Sequence, residues 1–459
     1  MRLRFIGVTL TPMQPKDILH SPHLKAARHK VFFNLPFWIS AGVAAAIAVG
    51  YNIIFKICEE WALSHSKDSI LLVTAPLALL ASFLIGYFFS KEAIGSGIPQ
   101  VIAAVELSNE NHPFLKKLLS IPMLITKILG SCICVLGGGV SGREGPTLQV
   151  STSVFYQISR FWPKRFPKPQ LPAMILAGGA AGLASAFNTP LGGIVFAIEE
   201  LSKTHISVVR TAVFQAVIIA GILAQLFLGN YLYLGNTSFG QFPAYVLYQT
   251  IVIAAIVGMS SGLFAESLYR ITKWRASQSF WIKVAMTLMC GGLLSLTIYL
   301  CGPSTVGAGK SVMIELLKNP HEPASPLLPI SRIFGNFFTY IGGVIGGVFA
   351  PALASGAAMG QYFSQLFGFT NAKLMIMVGM VAFLTGITRT PFTSFVLVLE
   401  MSDSHEIILY LMLSSVIANV AARVFAPKSF YEQAAHDLIN KQSETPGTVE
   451  HRHGTSPVP

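Results

Sequence analysis

The sequence predicts an all-helical, polytopic membrane protein made of two related halves, and three observations carry that prediction. Only 11% of its 459 residues are charged and 53% are hydrophobic, against roughly 25% charged residues in soluble domains. The mean hydropathy is +0.60, so a water-soluble core of this length would leave much apolar surface exposed. One crossing of the hydrocarbon layer takes about 20 apolar residues, and the apolar stretches supply on the order of ten crossings. Finally, the two halves share motifs in the same order. A soluble enzyme with one anchor is excluded, and no enzymatic activity is expected.

Residues 1–30 are polar and basic, without the apolar run and small-residue cleavage site of a secretory signal; they read as a cytoplasmic N-terminal arm. Apolar segments at 31–55, 69–90, 114–138 and 171–198 build a first membrane half over 31–205. Those at 207–234, 244–268, 281–301, 328–370, 373–400 and 406–426 build a second over 206–431. Several are too long for one helix and too short for two spans, and Gly and Pro break them. Helices that stop partway through the bilayer are expected, and such ends are tolerated only where protein buries them or a cavity receives them. The polar residues 432–459 read as a disordered tail.

The net charge of +12 sits mainly in connectors and tails, as at Lys164, Arg165 and Lys168. The positive-inside bias accounts for it and places both termini in the cytoplasm; no nucleic-acid groove is legible. The five cysteines lack paired metal spacing, so neither a metal nor a cofactor is expected.

The repeat is specific. Thr189 and Pro190 match Thr390 and Pro391, Glu199 matches Glu400, and Gly178 matches Gly379, all at one offset. GREGPTL at 142–148 parallels GVFAPAL at 347–353. Two hydrophobic halves with Gly/Pro-interrupted segments in corresponding positions point to a transporter whose site lies between them; this pattern alone leaves parallel and inverted arrangements open.

Three glycine-to-helix junctions are candidate anion sites, because the first N–H groups of a helix lack partners and attract negative charge. AIGSGIPQ, 93–100, adds the Ser96 hydroxyl. GGVFAP, 346–351, offers the N–H groups of Val348 and Phe349 without a full positive charge that would hold an anion too tightly. GREGP, 142–146, places Glu144 at a helix start, where a carboxylate takes the position of an anion and protonation releases it. The recurring pair Glu199 and Glu400 reads as structural, capping or tethering helix ends. Glu200 has no counterpart and is the candidate proton relay. VGAGKS, 306–311, lacks the first glycine of a phosphate loop and any preceding strand. Ser141 and Ser260 fit serine-hydrolase spacings, yet every histidine falls in a polar flank or tail.

GSGIP, GREGP and GVFAP in this order, with FNTPLGGIVFAIEE and a late tyrosine, resemble the CLC family of chloride channels and proton-coupled chloride transporters. The resemblance runs from about residue 31 to Tyr431. It implies two inverted repeats around a central anion site, a bacterial type without regulatory C-terminal domains, and a homodimer in the bacterial inner membrane. Position by position, Ser96, Tyr431 and the amides of Val348 and Phe349 would hold the central anion. Gly142, Arg143 and Gly145 would frame an outer position through their amides. Glu144 would be the external gate and Glu200 the internal proton glutamate, whose presence favours antiport. The serine of GSGIP fits chloride preference. Ile345 departs from the Gly-Ala-Pro-Gly-Gly of many bacterial relatives and alters that turn.

The sequence therefore predicts a secondary transporter that exchanges chloride for protons, with those ions and membrane lipid as its partners. The alternatives are a passive, proton-gated chloride channel, in which Glu200 does nothing essential, and an intramembrane serine hydrolase using Ser141 or Ser260.

Overall fold

The computed structural model describes residues 22–66, 70–108, 112–201, 206–229, 232–240 and 242–443. Eighteen α-helices are present among them. The first half contains α1 (Pro22–Ser64), α2 (Ile70–Phe89), α3 (Ile98–Ser108), the short α4 (Leu115–Leu118), α5 (Ile121–Leu136), α6 (Glu144–Phe161), α7 (Leu171–Phe187), α8 (Pro190–Phe196) and α9 (Ile206–Leu228). The second contains α10 (Tyr245–Ser277), α11 (Phe280–Cys301), α12 (Lys310–Lys318), α13 (Leu327–Ile341), α14 (Phe349–Leu366), α15 (Ala372–Thr388), α16 (Pro391–Ser402) and α17 (Ile408–Ala422), and α18 (Phe430–Ser443) closes the fold.

Five helical stretches are long and apolar enough to cross a membrane, among them Phe32–Ser64 and Tyr245–Ser277, each of 33 residues. At about 1.5 Å per residue these two exceed the hydrocarbon thickness, so they tilt. Their outward faces carry Ile53, Ile57, Leu263 and other large exposed apolar side chains, as a lipid-facing surface requires. The remaining apolar helices are shorter.

The interrupted segments resolve as anticipated. The stretch 328–370 is α13 and α14 separated by a glycine loop, 171–198 is α7 and α8, and 373–400 is α15 and α16. Proline in the first turn starts α5, α7, α8 and α16, where its missing N–H costs nothing. The α7–α8 and α15–α16 corners turn at left-handed residues in matching positions, Asn188 (φ 58°) and Arg389 (φ 63°). Such a conformation is unfavourable for Arg; Arg389 offsets it by donating to the carbonyls of Asn419 (2.8 Å) and Ala426.

The two halves are inverted. Glu199, beyond the end of α8, accepts N–H groups of Phe392 (3.1 Å) and Thr393 (2.6 Å) at the start of α16. Glu400, near the end of α16, accepts those of Leu191 (3.0 Å) and Gly192 (2.7 Å) at the start of α8. Each helix therefore ends beside the other's beginning, and the repeated glutamates are reciprocal N-caps.

Two boundaries differ from the sequence expectation. Helix α1 begins at Pro22, inside the supposed arm, of which residues 1–21 lie outside the described residues. The segment 432–443, expected to be disordered, continues α18 as far as Ser443. Its polarity misled because α18 packs chiefly on α3 and buries Phe430, Tyr431 and Ala435; residues 444–459 lie outside the description.

A candidate anion pathway at three helix starts

The loop before α3 places Ser96 between two glycines of positive φ, Gly95 (84°) and Gly97 (103°), a conformation that a side chain would strain. Two buried side chains fix this loop. Gln100 accepts the N–H of Gly97 (3.0 Å) and donates to the carbonyl of Ile94 (2.7 Å). Lys127, fully buried on α5, donates through Nζ to the carbonyls of Ala93 (2.9 Å) and Gly95 (2.8 Å).

The glycine loop before α14 joins both first-half junctions. Gly95 donates to Val344 (3.0 Å) and accepts from Gly346 (3.2 Å). Gly142 and Gly347 exchange two N–H···O bonds of 2.8 Å each. Ile345 does not disturb this turn: its N–H bonds to Ser82 Oγ (3.1 Å), and its buried side chain occupies space that Gly86 and Gly130 leave open. Gly145 lies so close to Ser96 that a Cβ there would meet the Ser96 carbonyl and hydroxyl. The starts of α3, α6 and α14 thus converge. Their first intrahelical bonds come from Val101, Thr147 and Ala352, so the preceding amides, including those of Val348 and Phe349, have no partner in their own helix.

Three groups at this convergence are buried and lack a hydrogen-bond partner in the protein: Ser96 Oγ, Tyr431 Oη and both oxygens of Glu144. Tyr431, in the first turn of α18, turns its hydroxyl toward that of Ser96 and lies within electrostatic reach of Glu144 and Glu200. Rings hold it there, with Phe430 5.5 Å from both Tyr431 and Tyr340. The Glu144 carboxylate lies beside its own N–H and that of Ala350, at the starts of α6 and α14. The α14 junction, whose own loop carries no charged side chain, thus receives one from the α6 junction. Two hydroxyls and several helix-start amides without a cation in direct contact fit a small monovalent anion, and an ionised Glu144 competes for the same dipoles.

Cavities approach the convergence separately. One, of about 440 Å³, reaches Glu144 and Arg143 along α1 and α12. Another, of about 210 Å³, reaches Gly95, Gln100, Tyr340 and Phe430 between α10 and α18. The Arg143 guanidinium donates to Asn52 Oδ1 in the larger cavity, from where its charge acts on Glu144. Glu200 is buried in a wide helical turn, Ala197–Leu201, that continues α8.

Residues 77–423 match the family described as voltage gated chloride channel. The chain belongs to the CLC family. It is 30% identical over 437 residues to the H(+)/Cl(-) exchange transporter ClcA of Yersinia pseudotuberculosis, covering 90% of this chain and 89% of that one. It is 29% identical to the protein of that name from Klebsiella pneumoniae, covering 88% and 89%. Among solved structures, a slow cyanobacterial Cl-/H+ antiporter superposes with a TM-score of 0.77 at 22% identity, covering 90% of this chain and 99% of that one. A CLC-type fluoride/proton antiporter does so at 0.74 and 20%, with the same coverage. These two establish the CLC fold.

This CLC chain has one buried group near the pathway that sequence reasoning passed over. Lys127 sits within the apolar stretch 114–138, and an ionisable residue there is a signal that could have singled it out. The hydrolase alternative lacks a base: the Ser260 hydroxyl donates to the carbonyl of Ile256 (2.9 Å), that of Ser141 is directed to the carbonyl of Gly142 (3.5 Å), and neither is bonded to a histidine among the described residues.

Proposed function

We propose that this protein exchanges chloride for protons across a bacterial inner membrane, with both termini in the cytoplasm. The observation that carries the reading is the buried Glu144 carboxylate, set at the starts of α6 and α14 close to the unpartnered hydroxyls of Ser96 and Tyr431. An ionised Glu144 occupies the helix dipoles that an anion would otherwise use. A protonated one has no charge to hold it there and yields the position. Chloride then rests on the amides of Val348 and Phe349 and on the hydroxyls of Ser96 and Tyr431, which stand in for its water. Glu200, buried and within reach of Tyr431, passes the proton on. The curated relatives' designation as exchange transporters supports antiport over a passive channel.

A homodimer accompanies this reading. Helices α9 and α17 leave Phe214, Ile218 and Ile222, and Leu409, Val416 and Val420, exposed, and a second copy would cover them.

The test is proton movement in liposomes containing the purified protein, driven by a chloride gradient with no proton ionophore. Uphill proton movement, abolished by Glu144→Gln and by Glu200→Gln, is the expected result. Chloride flux without proton movement would make the protein a channel.

A further inference from the structure

Helix α1 sets a tyrosine against the start of α6. Tyr51 is buried in a small apolar cluster with Phe55, Cys132 and Val135, and the edge-on ring of Phe55, 5.8 Å away, fixes its own. The next residue, Asn52, accepts the guanidinium of Arg143, which precedes Glu144. Helix α1 and the α6 junction are thus joined at consecutive positions, and the Tyr51 hydroxyl lies within electrostatic reach of the Glu144 carboxyl. That hydroxyl is 2.6 Å from Ser131 Oγ on α5. Ser131 has one hydroxyl proton, and it is directed to the carbonyls of Lys127 (2.8 Å) and Ile128 (3.0 Å), which only accept. In the Tyr51–Ser131 pair the donor is therefore Tyr51. Its proton is committed, and Tyr51 Oη, with no second hydrogen bond among the described residues, keeps only its accepting capacity.

An acceptor in an apolar recess suits a carboxylic acid and disfavours a carboxylate, whose oxygens can only accept. We propose that Tyr51 is the docking partner of protonated Glu144: on leaving the helix starts, the neutral carboxyl turns toward α1 and donates its O–H to Tyr51 Oη. No proton changes hands, since Glu144 keeps its own and Tyr51 keeps the one it directs to Ser131. The cavity bordered by Asn52, Phe55 and Glu144 gives room on that side. Glu144 then has two seats of opposite preference, the helix dipoles for the anion and Tyr51 for the acid. The other titratable groups acting on this pair are Cys132 of α5, Arg143, Glu59 of α1, Lys310 of α12 and Tyr431 of α18; none is the hydrogen-bond partner of Tyr51. Tyr51 is a positioning residue, and its assignment rests on Glu144 being the gate.

Chloride efflux from liposomes containing the full chain, followed across pH, tests the docking. Tyr51→Phe keeps the ring and removes the acceptor, so the neutral form of Glu144 loses one hydrogen bond and the acid activation of flux moves toward lower pH by about half to one unit. Ser131→Ala releases the Tyr51 proton to meet the ionised carboxylate and moves the midpoint the same way. A midpoint that stays in place in Tyr51→Phe, with flux lowered equally at every pH, is what a purely structural role produces and overturns the proposal. Should Tyr51→Phe carry no flux, infrared difference spectra of the purified protein between acid and neutral pH decide. The protonated-carboxyl band that Glu144→Gln removes should lie at higher wavenumber in Tyr51→Phe than in the parent, and an unshifted band overturns the docking. The gate reading fails separately, if Glu144→Gln keeps the parent's pH profile; a flat profile there beside an unmoved Tyr51→Phe midpoint refutes the docking alone.

Discussion

Replacing Lys127 by methionine asks how much of the anion's affinity comes from charge that never touches it. The ammonium is buried and donates only to the carbonyls of Ala93 and Gly95; no carboxylate is among the groups that act on it. It lies 2.8 Å from Gly95 O, and one residue adds about 3.8 Å, so an anion at the Ser96 hydroxyl is on the order of 8 Å away. At an effective dielectric near 20, a fully charged ammonium at that distance contributes at most roughly 2 kcal/mol, or about thirtyfold in affinity. The structural cost is confined to one acceptor, because Gly95 O keeps the N–H of Gly346 (3.2 Å) and only Ala93 O is orphaned, for about 1–3 kcal/mol. Chloride titration of folded Lys127→Met, judged by a cooperative thermal transition, should therefore show a dissociation constant at least tenfold higher. A value within threefold of the parent would refute the argument that a buried, uncompensated charge attracts the anion.

Glu400→Ala removes two charge-assisted bonds across the repeat boundary and should destabilise the fold by about 2–4 kcal/mol, read as a lower unfolding temperature in detergent; Glu199→Ala acts at the opposite end of the same helix pair, and the two losses should add. Gly145→Ala places a methyl group against Ser96 and should abolish chloride binding by calorimetry while far-ultraviolet circular dichroism keeps its helical signal. Lowering the pH neutralises Glu144, so chloride flux should rise toward acid pH in the parent and become insensitive to pH in Glu144→Gln, measured as initial efflux from liposomes.

The parts of this molecule that were legible beforehand are those where backbone chemistry needs a particular residue. Glycine turns followed by helix starts marked all three junctions, because few other residues allow the turn at Gly97 or the close approach at Gly145. The doubled motif identified Glu199 and Glu400 as structural, since a role in helix capping repeats with the helix. What escaped reading depends on contacts across the chain. Lys127 acts on a loop 32 positions earlier, and the sequence shows only a lysine in an apolar run. Arg332 in 328–370 is similar: it holds the carbonyls of Thr305 (3.0 Å), Val306 (3.2 Å) and Gly307 (3.2 Å) just before α12. The polar composition after Tyr431 concealed α18 because its stability comes from the groove against α3, not from its own propensity.

The exchange of glutamate caps between α8 and α16 has a consequence for biosynthesis. Leu191 obtains its acceptor from a residue 209 positions later, and Phe392 obtains its own from one 193 positions earlier. At about 5–20 residues per second, the ribosome needs roughly ten to forty seconds to supply the missing partner. Throughout that interval the nascent first half carries an uncapped α8 and an unmatched Glu199 in or near the bilayer. It is therefore an open half-structure that must be sheltered by the insertion machinery until its sequel arrives.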